Sequence, residues 1–221
     1  MANDAIAENI KRTGFWEPHF SRVCSLIHEG GVALDGGANF GYNAVLMAKR
    51  AGPSGKVICF EPQRLMFDRL KENFPLNGLT NGDLRMQALW DSECLLKISE
   101  FASDGQNFVN YGAAKVGQGS ECQAVTIDSL GLESLDFLKL DLEGCEARAM
   151  RGGMGTISRF MPVIHLEYDR NLEGSTTEAL ELAKSVGYRV YFIVTDYPSD
   201  YLCMPPGDER HRDIGLVLTE F

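Results

Sequence analysis

The chain makes one sharp strand-to-helix turn that leaves little freedom to what surrounds it. The apolar run Val32-Ala33-Leu34 leads into Asp35-Gly36-Gly37-Ala38-Asn39-Phe40-Gly41, and a helical pattern then runs from Tyr42 to Ala51. So tight a turn needs backbone angles that side chains resist and glycine accepts. Asn39 tolerates the left-handed region better than most residues. The helix start that follows offers unpaired N–H groups to an anion or carboxylate. A second strand, Lys56 to Phe60, ends at Glu61. An acid there can accept two hydrogen bonds from ribose hydroxyls, as the acid of dinucleotide folds does about 20 residues beyond its glycine turn. In this order, the turn and Glu61 favour a nucleoside ligand.

The rest of the chain repeats the alternation. A helix is predicted over Leu65 to Phe74, a third strand over Leu84 to Trp90 and a fourth over Leu135 to Leu142. A glycine-interrupted helix follows from Cys145 to Phe160, then a fifth strand from Pro162 to Leu166 and a helix from Thr176 to Val186. The order predicts an α/β fold with a doubly wound, mostly parallel sheet and right-handed crossovers. Near-helical spacing over Phe15 to Glu29, with Pro18 in the first turn, makes residues 1–31 an N-terminal helical segment. Two apolar runs, Tyr188 to Thr195 and Ile214 to Thr219, flank a loop containing Pro198, Pro205 and Pro206 and can pair as an antiparallel hairpin. Periodicity is weakest over about 92–123. There, short strands at Leu95 to Ser99 and Cys122 to Ile127 flank a loop rich in Gly, Ser and Asn, an expected substrate-facing insertion. No repeat or linker interrupts 1–221, which reads as a single domain.

Strands four and five carry acids where central parallel strands are normally apolar. Lys139, Asp141 and Glu143 alternate with Leu138, Leu140 and Leu142, and His165, Glu167 and Asp169 alternate with Ile164, Leu166 and Tyr168. Buried polar groups of this kind need partners or a purpose. In a doubly wound sheet, ligands bind beyond the carboxyl ends of the strands, where these acids fall. They can orient or deprotonate a substrate hydroxyl. The structural alternative is a Lys139–Glu167 pair, with the other acids capping the next helix. Three nearby acids also admit a divalent cation, but their spacing is no recognised ligand set, so no metal site is expected.

Composition excludes other classes. Of 221 residues, 44% are hydrophobic, enough for a sizeable core, and the formal net charge of -10 repels phosphate backbones. The 21 Lys and Arg are scattered, so nucleic acid is not an expected partner. The six cysteines form no C-x-x-C pair, which fits a reducing compartment rather than a disulfide or zinc scaffold. There is no apolar run long enough for a membrane span and no signal-like N-terminus, which gives a cytoplasmic location as the expectation.

The segments LDGGANFGYNAVLMAK (34–49), GPSGKVICFEP (52–62), LKENFPLNGL (70–79), VTIDSLGLESLDFLKLDLEG (125–144) and PVIHLEYD (162–169) together resemble the FkbM family of S-adenosylmethionine-dependent methyltransferases. The resemblance implies a class I methyltransferase fold, Rossmann-like, with a seven-stranded sheet whose last strand is antiparallel. It implies that Asp35, Gly37, Asn39 and Gly41 surround the methionine part of S-adenosylmethionine and that Glu61 takes the ribose hydroxyls. Gln87 and Ala88 would lie near the adenine, and Asp141 and Glu143 beside the methyl group. The family turn usually reads Asp-Val-Gly-Ala-Asn, so Gly36 in the second place is expected to loosen it.

Methyl transfer from a sulfonium is an in-line displacement, and alignment carries much of its rate. An alcohol acceptor needs a base. Asp141 or Glu143 is expected in that role, with Glu167 or His165 in support. The expected acceptor is a small hydroxylated molecule such as a sugar or polyketide. Two rivals share part of this pattern: a non-catalytic S-adenosylmethionine-binding scaffold, and a nicotinamide-dependent oxidoreductase, which leaves the strand-four segment unexplained.

Overall fold

A computed structural model describes residues 5–99, 102–103, 109–110, 116–117, 119–167, 173–195 and 200–221. Tyr168 and Asp169 lie outside the described residues.

The strands in chain order are β1 (Val32–Gly36), β2 (Lys56–Phe60), β3 (Gly82–Arg85), β4 (Ala88–Leu89), β5 (Cys94–Ile98), β6 (Ala102–Ser103), β7 (Val109–Asn110), β8 (Ser120–Val125), β9 (Phe137–Leu140), β10 (Val163–Leu166), β11 (Arg189–Val194), β12 (Tyr201–Met204) and β13 (Val217–Glu220). The helices are α1 (Ala5–Thr13), α2 (Pro18–Val23), α3 (Tyr42–Ala51), α4 (Arg64–Leu76), α5 (Glu146–Arg151), α6 (Met154–Phe160) and α7 (Glu173–Ser185). The main sheet has eight strands in the order β3-β2-β1-β9-β10-β12-β11-β13. The five from β3 to β10 are parallel, and β12 runs antiparallel to both β10 and β11. Strand β13 adds an eighth, antiparallel edge beyond the seven expected strands.

Side-chain alternation along the strands sorts the core into two layers. Ala33, Val57, Cys59, Phe137 and Val163 pack under α2, α3 and α4, whereas Leu34, Ile58, Leu138, Leu140 and Ile164 pack against α5, α6 and α7. The doubly wound prediction holds, and several boundaries hold to the residue, among them α3 and β2.

Three expectations need correction. The third strand breaks at Met86-Gln87: β3 stays in the main sheet, while β4 joins β8 and β5 in a separate three-stranded sheet. The helix expected from Cys145 to Phe160 is two helices, α5 and α6, divided at Gly152-Gly153. At the C-terminus the two apolar runs do pair, as β11 with β13, but the reversed strand of the expected seven is Tyr201–Met204. Prolines on either side make that segment read as loop. Its four residues are all buried, because it inserts between β10 and β11 with cover on both faces.

Candidate functional site

One residue past the last paired positions of four adjacent parallel strands stand Glu61, Gly37, Asp141 and Glu167. The hydrogen-bond ladder carries on through them: Gly37 N–H donates to the Phe60 carbonyl (3.0 Å), Asp141 N–H to the Gly36 carbonyl (3.1 Å) and Glu167 N–H to the Leu140 carbonyl (3.1 Å). Register therefore sets them in a row along the carboxyl edge, the place where open α/β sheets bind ligands. Gly37 has φ 79°, and a Cβ there would lie 1.8 Å from the Asp141 carbonyl oxygen. Only glycine lets β1 turn so close to the end of β9. Gly36 does not loosen the turn, because Leu89 and Leu140 fill the space its side chain would take, within 2.9 and 3.0 Å of an added Cβ.

Glu61 is fixed by the turn it faces. Its Oε2 accepts the Asn39 N–H at 2.8 Å and its Oε1 accepts the Gln63 N–H at 2.8 Å. Asn39 takes φ 51° to present that amide. Burial outweighs the two hydrogen bonds and pushes the Glu61 carboxyl up to about 7. Each oxygen keeps a lone pair for a further donor.

Beneath the edge, Asp35, Lys139 and His165 sit side by side on β1, β9 and β10. The fully buried Lys139 ammonium contacts Asp35 Oδ1 at 3.3 Å and Asp141 Oδ2 at 3.0 Å. This replaces the Lys139–Glu167 pair weighed from the sequence. Burial alone would raise the Asp141 carboxyl, but Lys139 and a hydrogen bond from Glu167 hold it below the ordinary range.

Two clefts open above this floor and meet at Gly37 and Asp141. The first is an open cleft of about 530 Å³ between Glu61, Gln87, Ala88, Trp90, Leu142 and Glu143. The second, about 330 Å³, lies between Asn39, Tyr42, Asn43, Lys139, Trp16 and Glu17. Among the described residues, no side chain caps the N-terminus of α3 beside it. A groove of about 840 Å³ continues from Trp16 and Glu17 between Thr13, Phe15, Pro18, His19 and Thr195.

Of the residues expected from the sequence, Gly37, Asn39, Glu61, Gln87, Ala88, Asp141 and Glu143 line the two clefts. Asp35 does not; it is sealed under the floor as the partner of Lys139. Gly41 starts α3 and packs against Leu70, where an added Cβ would meet Cδ1 at 2.6 Å. Glu167 touches Asp141 but lines none of these spaces. His165 is turned away from the clefts, edge-on to Phe20 and 3.0 Å from Asp200.

Trp16, Glu17, Tyr42 and Asn43 were missed. The strap between α1 and α2 crosses the start of α3, where Trp16 N–H donates to the Tyr42 hydroxyl (3.1 Å) and Asn43 Nδ2 donates to Glu17 Oε2 (3.1 Å). The available signal was Pro18, since the residue before a proline is pushed out of the helical region. Glu17 indeed leaves the helix, at φ 46°.

A sheet of this order, with one reversed strand inserted before the last of the seven, is the class I methyltransferase fold. Methyltransferase FkbM of Methylobacillus flagellatus superimposes with a TM-score of 0.57 at 15% identity, covering 81% of this chain and 47% of that one. An S-adenosylmethionine-dependent O-methyltransferase of Thermotoga maritima gives 0.52 at 14%, over 92% of this chain and 71% of its own. The FkbM methyltransferase domain matches residues 35–190, and the chain belongs to that family. In sequence it is 28% identical to methyltransferase sdnD of Sordaria araneosa, over 54% of this chain; it spans 59% of that relative's length. Among the described residues, no helix is long and apolar enough to cross a membrane.

Proposed function

We propose that the two joined clefts bind S-adenosylmethionine and that the chain moves its methyl group to a hydroxyl of a small acceptor held in the adjoining groove. The observation that carries this reading is the continuity of the three spaces: the first two share Gly37 and Asp141, and the last two share Trp16 and Glu17.

The lining fits the donor piece by piece. Gln87, Ala88 and Trp90 offer a flat, half-apolar wall to the adenine, and Glu61 offers two oxygens to the ribose. The uncapped start of α3 offers N–H groups to the amino-acid carboxylate. Leu96, Ile98 and Val116, from the insertion, close the adenosine end. Bound S-adenosylmethionine supplies an electrophilic methyl group on a sulfonium.

This chain's residues do the rest. Asp141, kept ionised by Lys139, stands where the two clefts meet and favours positive charge there. Phe15, Trp16 and Pro18 hold an acceptor with apolar surface and keep water from the transfer line. Glu17, the acid at the mouth between donor and acceptor spaces, receives the hydroxyl proton. Glu143 lies on the adenosine side, farther along the cleft.

Incubation with labelled S-adenosylmethionine and a panel of small hydroxylated acceptors tests this reading. Glu17→Gln should cut kcat by about 10²–10⁴-fold and change donor affinity far less. Full turnover in that variant removes Glu17 from the proton path, and methylation confined to nitrogen or carbon acceptors removes the O-methyl reading.

A further inference from the structure

Away from the proposed donor cleft, three ligand-type side chains from remote parts of the chain converge beneath the strap. His19 comes from α2, His165 from β10 and Asp200 from the residue preceding β12. Asp200 Oδ2 lies 2.8 Å from His19 Nε2 and 3.0 Å from His165 Nε2, and one ligand atom from each residue falls within 4.8 Å of the others. The side chains are 7%, 2% and 7% exposed.

Hydrogen bonding accounts for only part of this arrangement. His19 Nε2 makes a bond of ordinary geometry to Asp200. Among the described residues, neither ring nitrogen of His165 has a hydrogen-bond partner, although the residue is buried. Its 3.0 Å approach to Asp200 is a contact without the alignment of a bond. An imidazole left in this state carries an uncompensated desolvation cost. Glu17 and Asp141 feel the Asp200 charge, and the Lys139 ammonium stands beside His165 on the sheet.

We propose that His19, His165 and Asp200 form a binding site for a divalent first-row transition-metal ion. Two imidazoles and one carboxylate are a donor set for such ions and not for magnesium or calcium, which prefer all-oxygen shells. Ligands at about 2.0–2.2 Å from a tetrahedral ion stand roughly 3.3 Å apart, so the side chains need only small shifts to admit one. Coordination satisfies His165. Three protein ligands leave a further position for water. His19 also lines the groove, which puts the ion at the groove wall and ties the strap to the sheet. The site stands whether or not the groove takes a methyl acceptor.

Cobalt(II) is the probe. The chain is dialysed against chelator, its fold checked by circular dichroism, and titrated with Co²⁺ followed by visible absorption, with zinc competition and elemental analysis. The expected result is one equivalent of Co²⁺ with d–d bands of a low-symmetry nitrogen and oxygen site, displaced by Zn²⁺, and a higher melting temperature with metal than with chelator. Asp200→Asn and His165→Ala should abolish the bands, while His28→Ala, at an exposed histidine outside the triad, retains them. If a variant fails to fold, the wild-type spectrum still decides. The folded wild type giving no d–d bands, or a sulfur-to-cobalt charge-transfer band from the cysteines, overturns the proposal. So does binding that persists in folded His165→Ala.

Discussion

At Gly37 the wall of the cleft is the main chain itself, with β1 and β9 drawn so close that a single Cβ would strike the Asp141 carbonyl. At Trp16 the wall is a strap held to α3 by two hydrogen bonds near 3.1 Å. The first region is locked by sheet register and by a buried charge pair, and it can vary little without unfolding. The second is fastened by side chains from residues far apart in the chain and can change without disturbing the sheet. A fold that serves many acceptors with one donor needs this division.

The sharpest way to break the comparison is at Lys139, which lies under the rigid region. Lys139→Met leaves Asp35 buried without its partner and should cost about 3–5 kcal/mol in chemical denaturation. Pairing it with Asp35→Asn should recover much of that loss. An equal loss in both variants would show that Asp35 does not depend on Lys139.

Glu61 comes next. Glu61→Ala should weaken S-adenosylmethionine binding by about 10–100-fold, the worth of hydrogen bonds to a charged group. Its pH dependence has a definite sign. With the carboxyl pushed up to about 7, the free protein holds a proton that two ribose donors must displace, so donor affinity should fall as pH drops below about 7. Stability moves the other way. Between the ordinary value of 4.5 and about 7 the folded state binds the extra proton, so this contribution is present at low pH and lost as pH rises through about 7. Glu61→Gln should flatten both profiles in calorimetry and thermal melting; unchanged slopes would mean another group titrates.

The smallest effect belongs to the strap. Phe15→Ala, in the part of the strap that lines only the acceptor groove, should raise the acceptor KM and leave donor affinity and stability close to wild type. A large loss of stability would place the strap in the rigid region and erase the contrast.

The same contrast explains what the sequence disclosed. Gly37, Asn39 and Glu61 were legible because a turn and a strand end are local, and the ligand chemistry they serve dictates their types. Asp141 was legible as an acid on a strand that should be apolar. His165 was found by the same rule and Asp35 through the turn and the family resemblance, but both were misplaced, since a polar residue in the core does not show which cover lies above it. Pro18 signals only that Glu17 leaves the helix, and Asp200 carries no local signal. Their positions follow from the strap crossing α3 and from β12 inserting beside β10, and tertiary packing alone decides both.

Isothermal titration with S-adenosylmethionine, run on wild type, Glu61→Ala and Phe15→Ala, tests the joined clefts most directly. One donor per chain is expected, bound about 10–100-fold more weakly by Glu61→Ala and with unchanged affinity by Phe15→Ala, which touches only the acceptor groove. No binding heat from the folded wild type at any temperature tried, or equal affinity in Glu61→Ala, would contradict it.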